Sequence, residues 1–232
     1  MFDGLQELHS LGFVHRDVKP ANYSIGLGVD KRRVFLVDLG MTTSYPTEER
    51  QLEKKSKYKF IGTLRYAPRT THYGKRQSRK DDLEAWLYTS LEMFTGDILP
   101  WRHVEDDKEV ARMKEASFKD PTPLMTQMPL HYADIFRLIE KTQPLQSPDY
   151  RMIRETLIQI ARDENTCFDD PFEWEEGARK VPTMESVGTT VGADCSARPV
   201  KVDSEIKTQA SKEPQEAYSE REKTKSERTC RE

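Results

Sequence analysis

Long apolar runs are absent from this chain, and cysteine is nearly so. No stretch approaches the roughly 20 apolar residues that span a bilayer, and the N-terminus lacks the basic start and apolar centre of a secretory signal. The expectation is a protein with no membrane partner. The three cysteines, Cys167, Cys195 and Cys230, are scattered, odd in number and outside any metal-ligand spacing. A reduced intracellular protein accounts for them most simply, cytoplasmic with the nucleus as a second compartment. Excess charge is missing too. There are 37 basic and 40 acidic side chains, for a formal charge of −3, which gives no support for a nucleic-acid partner.

A further absence divides the chain. From Gly177 to Glu232 there is no Leu, Phe or Trp, and Tyr218 is the only aromatic. Basic (11) and acidic (10) residues nearly cancel there. Such a segment buries too little apolar surface to offset its ordering entropy, so 177–232 reads as a disordered charged tail. Residues 1–176 read as globular. Phe2, Leu5, Leu8 and Leu11 suggest one face of a helix ended by Gly12. Tyr23–Ile25 and Val34–Val37 read as two short strands joined by a hairpin turn at Ile25-Gly26-Leu27-Gly28. Met41 to Tyr58 is polar and reads as a mobile loop. Leu83, Trp86, Leu87, Leu91 and Phe94 fit a strongly apolar helix starting near Asp81-Asp82 and ended by Gly96 and Pro100. Val104–Ala116 and Tyr132–Lys141 are further helices, and Ile153, Leu157 and Ile160 mark a last one after Pro148-Asp149.

What is present is a dense run of chemistry. His15-Arg16-Asp17-Val18-Lys19-Pro20-Ala21-Asn22 is followed by Val37-Asp38-Leu39-Gly40. The first string resembles the protein-kinase catalytic loop, and the second its metal-binding D-F-G element with Leu39 in place of Phe. The spacing suits phosphoryl transfer. One Asp accepts the acceptor hydroxyl's proton, a Lys two residues on offsets phosphoryl charge, and an Asn and a second Asp hold Mg²⁺ against the phosphates of ATP. Any one of these residues alone would be an ordinary loop polar group. A kinase also needs an upstream lobe with a Gly-rich loop and a strand Lys. Only fourteen residues precede His15, and Ile25–Gly28 follows the motif and lacks a third glycine. The expectation is therefore a catalytic lobe without its upstream lobe.

Other strings narrow the resemblance. Gly62-Thr63-Leu64-Arg65-Tyr66-Ala67, Thr71-His72 and Arg79-Lys80-Asp81-Asp82-Leu83-Glu84 resemble the casein kinase I group. Leu99-Pro100-Trp101-Arg102 leans to its tau-tubulin kinase-like branch. Pro148-Asp149-Tyr150 and Phe172-Glu173-Trp174-Glu175 resemble the strings that open its last helix and close its domain. Over residues 1–176 the resemblance implies the C-terminal lobe of a serine/threonine protein kinase, mainly α with short β hairpins. It implies that Asp17 is the catalytic base, that Lys19 contacts the transferring phosphate, and that Asn22 and Asp38 bind Mg²⁺ and ATP. Thr63 would bond towards Asp17 and Lys19; the plainer alternative is a surface loop threonine. Asp82 is either a helix N-cap or a buried acid that binds the catalytic-loop backbone. Ala67-Pro68-Arg69 looks like A-P-E with the charge reversed.

The resemblance also implies that Arg65, with Arg102, forms an anion pocket for acidic or pre-phosphorylated protein substrates. The alternative for Arg65 is an ion pair with Glu48–Glu53. A rival reading of the whole is a non-catalytic, pseudokinase-like binding module that uses the substrate groove. A separate partner would then cover the surface left by the missing lobe. Nucleic-acid binding through Lys75–Lys80 is a weaker third reading; such a run is more simply a solvated helix entry or a substrate-facing patch.

Overall fold

The structure is a computed structural model that describes residues 1–45, 57–166, 170–172 and 174–175. The expected tail at 177–232, its boundary at 176, Glu48–Glu53 and the three cysteines lie outside the described residues. Among the described residues no helix is long and apolar enough to cross a membrane.

Helix α1 (Phe2–Ser10) leads towards the loop of residues 15–22, and Gly12 follows it at φ +88°. Its buried face is Phe2, Leu5 and His9, not the row ending at Leu11, which is 69% exposed. The reason is rotational. At about 100° per residue, nine residues carry Leu11 half a turn away from Phe2.

Four short strands follow: β1 (Phe13–Val14), β2 (Tyr23–Ile25), β3 (Val34–Leu36) and β4 (Thr43–Ser44). The expected β2–β3 pair forms, antiparallel, with Tyr23 opposite Leu36 and Ile25 opposite Val34. Its connection is wider than a tight turn. The Gly26 N–H donates to the Arg33 carbonyl at 2.9 Å across a one-turn 3-10 segment at Gly28–Asp30. The second pair, β1 with β4, was not expected, because each strand has only two residues and no alternation to read. It ties the start of the polar loop to the entry of the 15–22 loop.

The rest is helical: α2 (Arg69–His72), α3 (Arg79–Thr95), α4 (Asp107–Lys119), α5 (Thr122–Met125), α6 (Tyr132–Lys141) and α7 (Tyr150–Asp163). The caps explain the boundaries. Ser78 and Asp81 form a capping box that starts α3. The Asp106 side chain accepts from the Glu109 N–H, so α4 begins three residues later than its apolar pattern. Asp149 accepts from the Met152 N–H and opens α7. The one-turn helices α2 and α5 are too short for periodicity to reveal. Helix α3 is the centre of the core. Leu83, Trp86, Leu87, Tyr88 and Leu91 are all buried, with Trp101, Val110, Ile135, Phe136, Ile139 and Ile153 around them. Phe94, expected on that apolar face, lies beyond it and is exposed.

Candidate active site

The loop of residues 15–22 runs between β1 and β2 and is held from beneath by Asp82 of α3. The N–H of His15 donates to Asp82 Oδ2 at 2.6 Å and that of Arg16 to Oδ1 at 2.8 Å. His9 Nε2 bonds Oδ2 at 2.9 Å, and His9 Nδ1 meets the Tyr150 hydroxyl at 2.6 Å. Of the two readings of Asp82, this is the buried acid that binds the loop backbone; the cap belongs to Ser78. Two backbone donors on one carboxylate hold Arg16 at φ +71°, a left-handed conformation that costs a non-glycine residue about 1–2 kcal/mol. The buried His15 ring spans the two motifs. Its Nδ1 accepts from the Asp17 N–H at 3.3 Å, and its Nε2 donates to the Val37 carbonyl at 3.1 Å.

Asp17, Lys19 and Thr63 meet although Thr63 is 46 positions from Asp17. The Thr63 hydroxyl donates to Asp17 Oδ1 at 2.8 Å, and Lys19 Nζ donates to Asp17 Oδ2 at 2.7 Å and to Thr63 Oγ1 at 3.0 Å. Asn22 Nδ2 donates to the Asp17 carbonyl at 2.8 Å and faces Oδ2 at 3.4 Å. Burial pushes the Asp17 carboxyl up, but the donors Lys19, Thr63 and Asn22 outweigh it and hold its pKa below the usual value. It is a carboxylate at neutral pH. Gly62 lets the Thr63 loop come this close. Its φ is +116°, and a Cβ there would stand 2.9 Å from the Arg16 carbonyl oxygen.

Asp38 and Asn22 are linked through the backbone, where the Val37 N–H donates to the Asn22 carbonyl at 2.9 Å. Asp38 is exposed, at φ +61°, and its side chain accepts from the Gly40 N–H at 3.4 Å. Asn22 spends its amide N–H on Asp17, which leaves its amide oxygen as the donor atom for a cation. An amide oxygen and a carboxylate are hard ligands that fit Mg²⁺, an ion commonly held by one or two carboxylates together with substrate phosphates. No group of three His, Cys, Asp or Glu forms a ready cage among the described residues.

Arg65 and Arg102 come together around Glu92, a buried acid of α3. Arg65 Nη1 lies 3.1 Å from Glu92 Oε1, and its Nη2 donates to the Arg102 carbonyl at 3.3 Å. Arg102 Nη1 is 3.5 Å from the same oxygen and 3.1 Å from the exposed Asp97. The Tyr66 hydroxyl also donates to Glu92. Both arginines and Thr63 line an open cleft of about 330 Å³.

Arg69, the reversed residue of Ala67-Pro68-Arg69, anchors the next element. Its guanidinium bonds Glu84 at 3.2 Å and Glu140 at 2.5 Å, and lies 3.4 Å from the Phe118 ring centroid. The basic run is committed locally. Arg76 donates to the Ser44 carbonyl, Arg79 to that of Leu145 and Lys80 to that of Glu140.

Sequence reasoning missed His9, Glu84 and Glu92. The available signal was charge placed among apolar residues: Glu84 and Glu92 fall beside the buried leucines and aromatics of α3, where an unpaired carboxylate is costly.

Comparison with known proteins accords with this geometry. A protein kinase domain family model matches residues 1–162. A probable serine/threonine-protein kinase of Dictyostelium discoideum is 31% identical over 178 residues, 75% of this chain and 35% of that protein. Serine/threonine-protein kinase spe-6 of Caenorhabditis elegans is 26% identical over 79% of this chain and 50% of its own. A putative serine/threonine-protein kinase of the same worm is 29% identical over 78% and 53%. The chain thus spans about half or less of these relatives.

Proposed function

The chain belongs to the protein kinase family, and on that premise we propose that it is a serine/threonine protein kinase of the casein kinase I group, on the tau-tubulin kinase-like branch. In this reading residues 1–176 are the catalytic C-terminal lobe and 177–232 a charged tail. The reaction is transfer of the γ-phosphate of ATP to a serine or threonine hydroxyl of a protein. The observation that carries the reading is the three-way contact of Asp17, Lys19 and Thr63.

Asp17, kept ionised by its donors, accepts the proton of the attacking hydroxyl as the oxygen–phosphorus bond forms. Lys19 sits within 3 Å of both partners and offsets charge on the transferring group. Thr63 fixes the direction of the Asp17 carboxylate, and Asn22 fixes its backbone. Asn22 and Asp38 would hold Mg²⁺, which when bound neutralises charge on the nucleotide phosphates.

Arg65 and Arg102 are assigned to an anion pocket that favours acidic or pre-phosphorylated substrates. Arg102 Nε is buried without a hydrogen-bond partner among the described residues. Its partner Asp97 is exposed, and such surface pairs are worth about 0–1 kcal/mol, so a phosphate can displace it. The exposed apolar side chains Phe13, Leu27, Val29 and Leu39, all in the strand segment after α1, support a further lobe or separate partner over that segment. The same exposed side chains favour a second reading, a non-catalytic module that binds its partner independently of Asp17.

The test is phosphate transfer from labelled ATP to casein. The 232-residue chain alone should turn over negligibly, because phosphoryl transfer depends on positioning and no described strand carries a lysine to clamp the phosphates. Joined to a casein kinase I-like upstream lobe it should transfer phosphate, and Asp17→Asn should abolish this. Transfer that survives Asp17→Asn would overturn the assignment.

A further inference from the structure

Lys114 of α4 is fully buried, a state that lysine almost never adopts without a carboxylate partner. Its ammonium makes no ion pair with an acid among the described residues. Its three donors go instead to the Leu64 carbonyl at 2.8 Å, the Ala67 carbonyl at 2.6 Å and His72 Nε2 at 3.2 Å. The rings of Tyr88 and Trp101 lie on its flanks, centroids 5.2 and 5.6 Å away. Trp101 Nε1 donates to the carbonyl between these two, that of Arg65, at 2.8 Å. Three carbonyls of one short loop are therefore captured from below. Above, the same loop carries Thr63, whose carbonyl accepts from the Tyr66 and Ala67 N–H groups at 2.9 and 2.8 Å and whose hydroxyl meets Asp17.

We propose that Lys114 is the positioning residue for the acceptor side of the site: its ammonium holds the Thr63–Ala67 backbone from beneath and so sets where the Thr63 hydroxyl meets Asp17. The assignment rests on the kinase reading of Asp17 and Thr63. A hydrophobic residue would fill the same space at less desolvation cost, but it would leave three acceptors unpaired. The lysine is there for loop geometry.

The surrounding charges bear this out. Burial draws the Lys114 pKa down to about 7, while Glu84 of α3 and Asp107 of its own helix hold it up. Arg69 pairs with Glu84. Tyr88 of α3 stays neutral, its pKa raised by burial. His72 of α2 is pulled below its usual value by burial and by Lys114, so it titrates first. The sign for stability is fixed. A lysine with a folded pKa near 7 and an unfolded value of about 10.4 binds fewer protons folded than unfolded between those limits. Stability therefore rises with pH across that window. Positioning runs the other way, because above pH 7 the group loses one donor and the charge assistance of the others. A merely structural lysine would move stability and acceptor binding together.

The experiment uses the 232-residue chain, labelled with ¹³Cε-lysine and backbone ¹⁵N, from pH 6 to pH 9, with dephosphorylated casein as the acceptor probe. The Lys114 Cε resonance and the amides of residues 63–67 should shift with one shared midpoint near 7. Casein affinity should fall several-fold above that midpoint while the urea midpoint rises. Lys114→Met should weaken casein binding about tenfold at pH 6.5, the scale of a lost charge-assisted hydrogen bond, and remove its pH dependence. Lys114→Arg should recover most of the loss, also without pH dependence. The proposal is overturned if amides 63–67 do not follow Lys114 in the wild-type chain, which needs no variant. It is overturned equally if affinity rises with stability, or if a folded Lys114→Met keeps wild-type affinity. Casein that fails to bind at any pH counts against the kinase reading, while the amide titration still decides the role of Lys114.

Discussion

The strand side of this molecule and its helical block are built on opposite terms. Between Phe13 and Ser44 the strands are two or three residues long, Leu27 is 88% exposed and Val29 99%. Two non-glycine residues, Arg16 and Asp38, sit at positive φ. In α3, by contrast, every residue from Asp81 to Thr89 is buried. Asp17, Lys19, Asn22 and Asp38 lie on the thin side, and α3 of the thick one grips both the 15–22 loop and the 63–69 loop that meets it. Asp82 takes the backbone of residues 15 and 16, Glu84 takes the backbone and guanidinium of Arg69, and Glu92 takes Arg65 and Tyr66. A helix buried on all sides would be expected to be wholly apolar. Its acids are the points at which the core grips the site loops.

The contrast is broken most severely at Asp82. Asp82→Ala leaves two loop N–H groups and His9 without their acceptor, each worth about 1–3 kcal/mol when orphaned in the interior. The expected loss is about 3–5 kcal/mol in urea unfolding, with the His15 and Arg16 amides losing exchange protection. A loss below about 1 kcal/mol would mean that the thin side holds itself.

Arg69 tests the same grip from the other end. Arg69→Leu strands Glu84 in the core with the Arg69 N–H, at 2.7 Å, and the Tyr88 hydroxyl, at 2.8 Å, as its remaining donors. Removing one partner of a buried pair costs about 3–5 kcal/mol; the surviving donors should bring this towards 2–3 kcal/mol. Adding Glu84→Gln should recover part of it, since the stranded charge is gone. Strictly additive losses in the cycle would refute the coupling.

How much of this could be read in advance follows from range. Motif and cap signals are local, and they carried far. The β2–β3 pair, the bounds of α6 and the start of α7 at Asp149 were all legible. So was the encounter of Thr63 with Asp17, because a known arrangement of residues implied it. What escaped was set by tertiary contact. Leu11 and Phe94 look like core residues in one dimension and face water in three. Glu92 could not be told apart as the partner of Arg65, because Glu48–Glu53 is nearer in sequence and equally acidic. The β1–β4 pair is too short to leave a pattern.

Thr63 separates stability from chemistry. Thr63→Val keeps the shape and removes two partly buried hydrogen bonds, one given to Asp17 and one accepted from Lys19, at a cost of about 0.5–1.5 kcal/mol each. Its effect on Asp17 should be easier to see. Thr63 is one of the donors that depress that pKa, so the carboxyl should titrate higher in the variant. A depressed folded pKa contributes stability above the unfolded value of about 3.9, lost as pH falls through the folded value. Acid unfolding should therefore begin at higher pH in Thr63→Val, and casein phosphorylation by the lobe-joined protein should drop. An unchanged Asp17 titration by NMR would remove Thr63 from the site.

The smallest effect sharpens the comparison at its edge. Leu11 and Phe94 are large apolar residues that sequence pattern assigns to the core, yet each stands past the last buried turn of its helix. Leu11 follows the end of α1, half a turn from Phe2, and Phe94 lies one turn beyond Leu91, the last buried leucine of α3. A side chain already in water has little apolar burial to lose, so Leu11→Ser and Phe94→Ser should each change stability by less than about 0.5 kcal/mol. Leu5→Ala, three residues from Leu8 in the same helix but fully buried, should cost about 2–5 kcal/mol. The two classes differ in hydrophobicity hardly at all and in burial almost completely. If Leu11→Ser proves as costly as Leu5→Ala, the exposed edge of α1 is covered in solution, and the thin side extends the core rather than resting on it.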